Sequence, residues 1–249
     1  MDVERRGDVA VVSLRGGKAN AMSRPFLAGL IELLTEVERG GRGALVLTGY
    51  EKYFSAGLAL PELLPLDRAG MRDFIDFFGE AMRRVFACAR PVVAAVNGHA
   101  VAGGCVLALM ADVRLMSDGP AKIGLPETQL GIGLPASVVE PLRLVLPPSS
   151  LVPVAFEGRM FTPGEAHRLG LVDEVVPAAE LLERAVARAT VLAAVPPAAY
   201  AQVKTAVRRP ALDTIARVAE AERETWLDTW FSAEGRARLA AAVARLSAS

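Results

Sequence analysis

The stretch of sequence that decides the fold is PVVAAVNGHAVAGGCVLALMADVRLM, residues 91–116. After Pro91, the unbroken apolar run VVAAV predicts a buried strand. A glycine-containing turn, Asn97–Cys105, comes next, and it leads into a short apolar helix to Met110 and another strand, Val113–Met116. Strands that alternate with helices in this way are typical of parallel crossover architectures, so the predicted fold class is α/β.

The same stretch requires a test for a membrane span. It carries no formally charged residue from Pro91 to Ala111, and about 20 apolar residues can cross a bilayer. However, Asn97-Gly98-His99 and Gly103-Gly104 interrupt the run with groups that are unfavourable in a lipid-exposed helix. We therefore expect a buried strand, a turn and a buried helix, and no contact with a membrane.

Upstream of this stretch, the pattern again alternates strand and helix. Val9–Leu14 and Gly43–Thr48 are predicted strands. Between them, Ser23 offers an N-cap for a helix that Gly40-Gly41 would end. A second helix is predicted from Asp67 to Ala87, because its apolar residues recur at helical spacing.

Downstream, the sequence changes from mixed to helical character. Thr162–Glu165 is a capping box that predicts a helix ending at Gly170, and the strand LVDEVV follows it. Beyond Pro177 no strand signal remains, and the helical pattern is predicted to break at Pro196-Pro197 and at Pro210. We accordingly divide the chain into residues 1–195, a core that contains the site, and residues 196–249, a helical region.

The last helices of this region carry large apolar residues. Two interpretations are open for them: packing onto the core, or a subunit interface. The residues concerned are Trp226, Leu227, Trp230, Phe231, Leu239 and Leu246.

Composition excludes several classes of function. The 28 Lys and Arg residues balance the 28 Asp and Glu residues, so no overall field attracts nucleic acid or an anionic membrane. The two cysteines, Cys88 and Cys105, lack metal-ligand spacing and do not suggest a disulfide framework, and we expect no metal site. The N-terminus lacks the pattern of a signal peptide, so a cytoplasmic location is predicted.

Two glycine-containing turns are the strongest candidates for chemistry. FSAGLAL, Phe54–Leu60, follows one predicted strand, and NGHAVAGGC, Asn97–Cys105, follows another. Glycine allows a ligand to approach the backbone closely, and a helix N-terminus presents free N–H groups, so such turns suit an oxyanion. Each turn alone is weak evidence.

A third candidate is the carboxylate in IGLPETQLGI, Ile123–Ile132. Glu127 is surrounded there by apolar residues, proline and glycine. Burial would raise its pKa towards neutrality and suit it to general-base catalysis, whereas the alternative is a solvated or capping residue.

Together, these three strings resemble the crotonase (enoyl-CoA hydratase/isomerase) superfamily, and the resemblance covers nearly the whole chain. KANAMS, Lys18–Ser23, is similar to the family's adenine-side loop, and TPGEAHRLGLVDEVVP to a stretch that follows its site. The resemblance implies a crotonase-like spiral of repeated strand-strand-helix units with a helical C-terminal region. It also implies a homotrimer or hexamer.

Carried over residue by residue, the resemblance implies that the backbone N–H groups of Leu58 and Gly103 form an oxyanion hole for a thioester oxygen, with Glu127 as the catalytic carboxylate. It implies an acyl-CoA substrate, and no cofactor beyond the CoA of that substrate. The residues expected to bind CoA or substrate are Lys18, Ala19, Asn20, Ala21, Ser55, Ala56, Gly57, Ala59, Leu60, Gly104 and Val106.

Val106 is the residue that distinguishes reactions within the family. Family hydratases carry a glutamate three positions after the oxyanion glycine, and this chain has Val106 there. Two carboxylates can hold one water, whereas a single carboxylate suits a proton shuttle. The pattern is similar to that of mitochondrial-type 3,2-trans-enoyl-CoA isomerases of fatty-acid oxidation; another acyl-CoA lyase or hydratase, and a non-catalytic acyl-CoA-binding protein, are the alternatives.

Four other residues, Ala59, His99, Lys18 and Cys105, have candidate roles. Ala59 departs from the aspartate that the family commonly has, which predicts a loosened loop or a changed substrate. His99 could reach substrate or be structural, and Lys18 could contact a CoA phosphate or be solvated. Cys105 is expected in the core. No GxGxxG fingerprint is present, so we expect no NAD or FAD.

Overall fold

The computed structural model describes residues 1–39 and 43–247. Gly40 and Gly41, which were predicted to end the first helix, lie outside the described residues. Ten strands are present in the described part of the chain: β1 Asp2–Arg6, β2 Val9–Ser13, β3 Ala44–Thr48, β4 Tyr53–Ser55, β5 Val92–Val96, β6 His99–Val101, β7 Val113–Ser117, β8 Ile123–Gly124, β9 Met160–Phe161 and β10 Glu174–Val176.

Nine α-helices accompany these strands in the same described ranges. They are α1 Arg24–Arg39, α2 Leu60–Leu63, α3 Arg68–Ala87, α4 Gly103–Leu109, α5 Ala136–Val145, α6 Pro163–Arg168, α7 Leu181–Ala193, α8 Pro197–Trp230 and α9 Ala233–Ser247.

The strands form two sheets. The larger has the order β1-β2-β3-β5-β7-β10 and is parallel from β2 onward, while β1 pairs antiparallel with β2. The smaller has the order β4-β6-β8-β9, and its first three strands are parallel. These parallel strands with helical crossovers confirm the predicted α/β class.

Both faces of the larger sheet are buried. One set of alternating residues, such as Val12 and Leu47, joins the main core with α1, α3 and α4. The opposite set, such as Val11 and Val46, packs against α7. Burial on both faces is the reason why these strands read as continuous apolar runs.

Local helix signals in the sequence are confirmed. The Ser23 hydroxyl accepts a bond of 3.4 Å from Phe26 N, and the Asp67 side chain accepts from Gly70 N at the start of α3. The capping box at Thr162 and Glu165 is complete, and α6 ends before Gly170, whose φ is +76°.

The predicted helix break at Pro210 is wrong, because α8 continues through that residue from Pro197 to Trp230. An interior proline removes one hydrogen bond and costs about 3 kcal/mol. Burial of Arg208, Ala211 and Ile215 on either side offsets this cost, since that face of α8 packs onto the core. The break at Pro196 is confirmed.

The C-terminal helices pack onto the core. Trp226, Leu227, Trp230 and Leu239 are each at most 4 % exposed, which confirms the packing interpretation for these residues; the Leu246 side chain lies outside the described part. Asp112, between α4 and β7, binds Lys204 Nζ and Arg208 Nη2, each at 2.7 Å. The division at residues 195/196 remains a prediction.

In the described ranges, no helix is both long and apolar enough to cross a membrane. The uncharged stretch 91–111 instead contains β5, β6 and α4.

Candidate active site

The smaller sheet brings the three candidate segments together. FSAGLAL continues from β4, the Ala102–Gly103 turn continues from β6, and Pro126–Glu127 follows β8. Since β4, β6 and β8 are adjacent and parallel, their carboxyl ends lie at one edge. Ligands of α/β proteins commonly bind at such an edge, so the site is assembled from three neighbouring loops.

The loop after β4 turns at Gly57, which has a φ of +83°. Met22 N donates to Gly57 O at 2.7 Å, and Ala59 N donates to Met22 O at 3.2 Å. These two bonds flank Leu58, whose own N–H has no hydrogen-bond partner within residues 1–39 and 43–247. Leu58 N–H is therefore free to bind a ligand atom.

The turn after β6 is strained at Ala102. This residue has φ +52° and ψ −122°, a conformation that costs a non-glycine residue about 1–3 kcal/mol. A 2.9 Å bond from Ala102 N to Gly124 O holds it. Gly103 then begins α4, so its N–H belongs to the first helical turn, where no intrahelical acceptor exists.

The two turns approach each other closely at Gly57 and Gly103. A Cβ atom placed on Gly57 would lie 3.0 Å from Gly103 N, 2.9 Å from Ala102 Cβ and 2.7 Å from Val101 O. Only a glycine permits this approach without a shift of backbone. The geometry thus places the Leu58 and Gly103 amides on adjoining loops, which is the arrangement that an oxyanion hole requires.

Glu127 supplies the carboxylate of the site. It is 8 % exposed, and its Oε2 has no hydrogen-bond partner within the described residues. Burial raises the pKa of Glu127 to about 7, because the charged form loses its hydration. A carboxyl group with this pKa can both take up and release a proton near neutral pH.

Two spaces meet at Glu127. We call the larger one, about 460 Å³ in volume, the outer cleft; it is lined by Tyr53, Ala56, Leu58, Leu60, His99, Val101, Ala102, Pro126, Glu127, Leu130, Ile132, Ala242 and Arg245. We call the smaller one, about 30 Å³, the inner cavity; it is lined by Leu58, Ile75, Phe78, Gly103, Val106, Glu127, Ile132, Gly133, Leu134, Pro135, Val138 and Trp226.

Val106 and Glu127 therefore face one cavity. Val106 is 1 % exposed and lies on α4, one turn after Gly103. Apart from Glu127, the side chains that line the inner cavity are apolar or those of tryptophan and proline. A water molecule that entered would find one carboxylate and few other polar groups to hold it.

Several of the predicted CoA-binding residues hold the loops together. Asn20 and Ser55 are fully buried. The Ser55 hydroxyl donates to Asn20 O at 2.7 Å, and Asn20 Nδ2 donates to Phe54 O at 3.1 Å. Ala19 O accepts from Ala56 N at 2.9 Å. The loop Lys18–Ala21 is thus fixed beside FSAGLAL, and its contact with CoA remains a prediction.

The other candidates fall into two groups. Ala56 and Leu60 line the outer cleft. Ala59 is 4 % exposed and is the N-cap of α2, where no side chain caps the helix. A Cβ on Gly104 would lie 2.2 Å from Ser55 O, so Gly104 permits α4 to pack on β4. Burial raises the pKa of the Cys105 thiol, which agrees with a core position.

His99 lines the outer cleft. Its Nδ1 accepts a bond of 3.2 Å from Lys122 N. The neutral ring must therefore carry its hydrogen on Nε2, which makes that nitrogen a donor. This fixed tautomer is consistent with either a substrate contact or a structural role.

Sequence reasoning missed part of the cleft. Tyr53 on β4 and Ala242 and Arg245 on α9 also line it. No local signal could have indicated Ala242 and Arg245, since they are more than a hundred residues from Glu127 in the chain. A solvated arginine on a C-terminal helix becomes a cleft residue only through the packing of α9 near α2 and Leu130.

In the part of the chain that the structure describes, no group of three or more His, Cys, Asp or Glu side chains could hold a metal ion. The chemistry that these described residues support is proton transfer next to a stabilised oxyanion.

Comparison with known proteins identifies relatives of this chain. The family model described as enoyl-CoA hydratase/isomerase matches residues 4–241. A probable enoyl-CoA hydratase of Mycobacterium tuberculosis is 34 % identical over 211 residues, which are 83 % of this chain and 80 % of the relative. Human mitochondrial enoyl-CoA delta isomerase 1 is 31 % identical over 204 residues, 81 % of this chain and 68 % of the relative.

Solved structures show the same fold. Human mitochondrial delta3-delta2-enoyl-CoA isomerase superimposes with a TM-score of 0.94 at 28 % identity and covers 98 % of this chain and 97 % of its own. An enoyl-CoA hydratase of Bacillus anthracis gives a TM-score of 0.76 at 28 % identity, with 88 % and 89 % coverage. The crotonase-like fold and the resemblance inferred from the motifs are thereby confirmed.

Proposed function

We propose a specific reaction for this chain, which belongs to the enoyl-CoA hydratase/isomerase family: it moves the double bond of a 3-enoyl-CoA to give the 2-trans-enoyl-CoA. Relatives with hydratase names and relatives with isomerase names are similarly distant in sequence. The choice between the two reactions therefore has to come from the residues of the site.

The observation that carries the proposal is that Val106 and Glu127 line the same inner cavity. Hydration requires a water to be held, activated and added, which two carboxylates do readily. Here the position of the second carboxylate is occupied by a buried valine. The site thus offers one proton-transfer group and an apolar surface that disfavours water.

In the proposed reaction, Glu127 removes a proton from C2 of the 3-enoyl thioester. The electron pair of that C–H bond moves into the thioester, and the resulting dienolate places its negative charge on the thioester oxygen. The N–H groups of Leu58 and Gly103 stabilise this oxygen. Protonated Glu127 then delivers the proton to C4, and the double bond ends between C2 and C3.

The pKa of about 7 suits this cycle, because Glu127 must act first as base and then as acid. No water and no cofactor takes part in the atom balance. CoA enters only as part of the substrate.

The test is turnover of 3-enoyl-CoA thioesters with identification of the product, together with the variant Glu127→Gln. We expect conjugated 2-enoyl-CoA of unchanged mass, and a loss of about 10²–10⁴-fold in kcat for the variant, the usual contribution of a general acid–base group. 3-Hydroxyacyl-CoA as the main product would instead indicate a hydratase. Undiminished turnover by Glu127→Gln would exclude the assigned base, and binding of acyl-CoA without any turnover would favour a binding protein.

The homotrimer or hexamer implied by the family resemblance is also proposed here. Its test is the mass of the protein in solution, measured by light scattering.

A further inference from the structure

The backbone on both sides of Leu58 is bonded to one neighbouring segment, residues 17–22, which we call the support loop. Met22 of this loop donates to Gly57 O at 2.7 Å and accepts from Ala59 N at 3.2 Å. Three further bonds join the support loop to the start of FSAGLAL: Asn20 Nδ2 to Phe54 O, Ser55 Oγ to Asn20 O, and Ala56 N to Ala19 O. The direction of the Leu58 N–H group therefore depends on the shape of the support loop.

The support loop has an unfavourable backbone conformation. Ala19 and Asn20 have φ values of +57° and +52°, which lie in the left-handed region. Asparagine tolerates this region, whereas alanine adopts it only when its surroundings hold it there. The Asn20 side chain helps to hold its own residue, because its Oδ1 accepts from Gly16 N at 2.9 Å. Ala19 has no polar side chain, so groups outside the support loop must hold it.

The Tyr50 hydroxyl is such a group. It donates to Gly17 O at 2.6 Å and accepts from Ala19 N at 3.0 Å. Within residues 1–39 and 43–247, Ala19 N has no other hydrogen-bond partner. One hydroxyl thus joins two backbone groups of the support loop and satisfies the amide of its strained alanine.

Tyr50 is itself fixed to the framework of the site. Its backbone N and O pair with the O and N of Tyr53, at 3.1 and 3.0 Å, and Tyr53 begins the strand β4 that leads into FSAGLAL. Asn97, at the start of the second glycine-containing turn, accepts from Gly49 N at 2.7 Å and donates to Glu51 O at 3.2 Å. The hydroxyl is therefore attached to both candidate turns through short, bonded segments.

We propose that Tyr50 is a positioning residue for the Leu58 oxyanion donor: its hydroxyl holds the support loop in the conformation that directs Leu58 N–H at the thioester oxygen. Tyr50 lines neither the outer cleft nor the inner cavity, so it acts through the support loop and not by contact with substrate. The inference rests on the proposed function in that a thioester oxygen binds at Leu58 and Gly103.

The variant Tyr50→Phe tests the proposal, because it removes one oxygen atom and keeps the ring. The matched control is Tyr200→Phe. Tyr200 is also half-buried, but it lies on α8 and lines neither space of the site. Thermal unfolding of both variants establishes that they fold.

The direct measurement is the infrared band of the thioester carbonyl in bound hexanoyl-CoA, labelled with ¹³C at that carbon. Donors directed at this oxygen polarise the C=O bond and lower its stretching frequency. We expect a band below that of free hexanoyl-CoA in the wild-type protein and in Tyr200→Phe, and a smaller lowering in Tyr50→Phe. The saturated thioester has no double bond to move, so the band is measured without turnover.

The kcat for 3-hexenoyl-CoA should change in parallel with the band. We expect Tyr50→Phe to lower kcat by about tenfold, less than the 10²–10³-fold usual for complete loss of one oxyanion donor, and Tyr200→Phe to stay within about twofold of wild type. The double variant Tyr50→Phe/Ala19→Gly should recover part of both the band shift and kcat, because glycine adopts a positive φ without strain.

The inference is overturned if Tyr50→Phe keeps the wild-type carbonyl band, or if Tyr200→Phe changes the band equally. No recovery in the double variant would contradict the role of the hydroxyl in holding Ala19. An unshifted band in the wild-type protein would show that no oxyanion donors reach the carbonyl, which contradicts both this inference and the proposed function. Failure of the proposed reaction alone gives a different result: 3-hexenoyl-CoA is not converted, while the band is lowered in wild type and less so in Tyr50→Phe.

Discussion

The outer cleft and the inner cavity share Leu58, Glu127 and Ile132 but differ in almost every other respect. The outer cleft is about fifteen times larger, and Tyr53, His99 and Arg245 supply polar groups around it. The inner cavity is narrow, and Glu127 is the one charged side chain in its lining.

In the proposed function, this difference separates two tasks. The outer cleft has room for the large polar CoA part of a substrate, while the small apolar cavity offers few groups that could hold water beside the reacting carbons. Glu127 lines both spaces, so its carboxyl group is desolvated by the apolar side and also borders the larger cleft. The following changes test this division.

The largest effect is expected from Gly57→Ala, which acts where the two oxyanion turns meet. A methyl group would overlap Val101 O and Ala102 Cβ and force the loops apart. We expect kcat to fall by about 10²–10³-fold, the usual cost of one lost oxyanion donor. The matched control is Gly7→Ala, since Gly7 also has a positive φ, +60°, but nothing within 4 Å of its Cβ position. Equal losses of activity in both variants would contradict the role of the close approach.

Val106→Glu should make the inner cavity more like a hydrating site. A second carboxylate beside Glu127 can hold a water, so we expect formation of 3-hydroxyacyl-CoA from 2-enoyl-CoA. Burial of the new charge should also lower the free energy of unfolding by about 1–3 kcal/mol. The control Val106→Gln has similar size without the carboxylate, and hydration by both variants, or by neither, would contradict the argument from Val106. Chromatography of the thioester products measures how much 3-hydroxyacyl-CoA each variant forms.

The pH dependence of activity should report the desolvation of Glu127. The base must be ionised, and its pKa is about 7. We therefore expect kcat/KM to rise about tenfold per pH unit from pH 5 to pH 6 and to level off above pH 7. A plateau that already begins near pH 5 would show that the carboxyl group is solvated.

The same pKa has a consequence for stability. Glu127 is protonated more readily in the folded chain than in the unfolded chain, where its pKa is about 4.5, so wild-type stability should fall as the pH rises from about 4.5 to 7. The full effect is on the order of 3 kcal/mol. Glu127→Gln should lose this dependence, and urea unfolding at pH 5 and pH 8 checks it. If the free energy of unfolding changed with pH in the same way in both proteins, the raised pKa of Glu127 would be contradicted.

The smallest effect is expected on the outer side, from Ala59→Asp. Ala59 is the N-cap of α2 and offers no side-chain acceptor. Glu62 N already donates to Ala59 O at 2.9 Å, so an aspartate could only share this donor, and we expect it to stabilise the FSAGLAL loop by less than about 1 kcal/mol. Ala59→Val, of similar size and without an acceptor, is the control for the melting temperature. An equal change in both variants would show that size, and not capping, matters.

The elements predicted most accurately from sequence are those with strong local signals. The strands after Asp8, Gly43 and Pro91, the cap at Ser23, and the capping box at Thr162 all depend on residues close together in the chain. Apolar runs and capping hydrogen bonds of this kind need little help from the rest of the molecule.

The missed elements lack such signals. Strand β1, DVERR, is mostly exposed and has no apolar alternation, so only its pairing with β2 makes it a strand. Strands β4, β6, β8 and β9 have two or three residues each, too few for any periodicity. The predicted break at Pro210 was wrong, because the packing of α8 onto the core outweighs the local preference of proline.

The sequence by itself determined the chemical parts of the site: the two glycine-containing turns, Glu127, and the valine where family hydratases have a second carboxylate. The tertiary structure alone decided that the turns touch at Gly57 and Gly103, that Glu127 is buried, and that Trp226 and Ile75 line the inner cavity. The physical reason is the distance along the chain over which each property is set. Backbone freedom and side-chain chemistry belong to single residues, whereas a raised pKa or a closed cavity depends on groups brought together from distant parts of the chain.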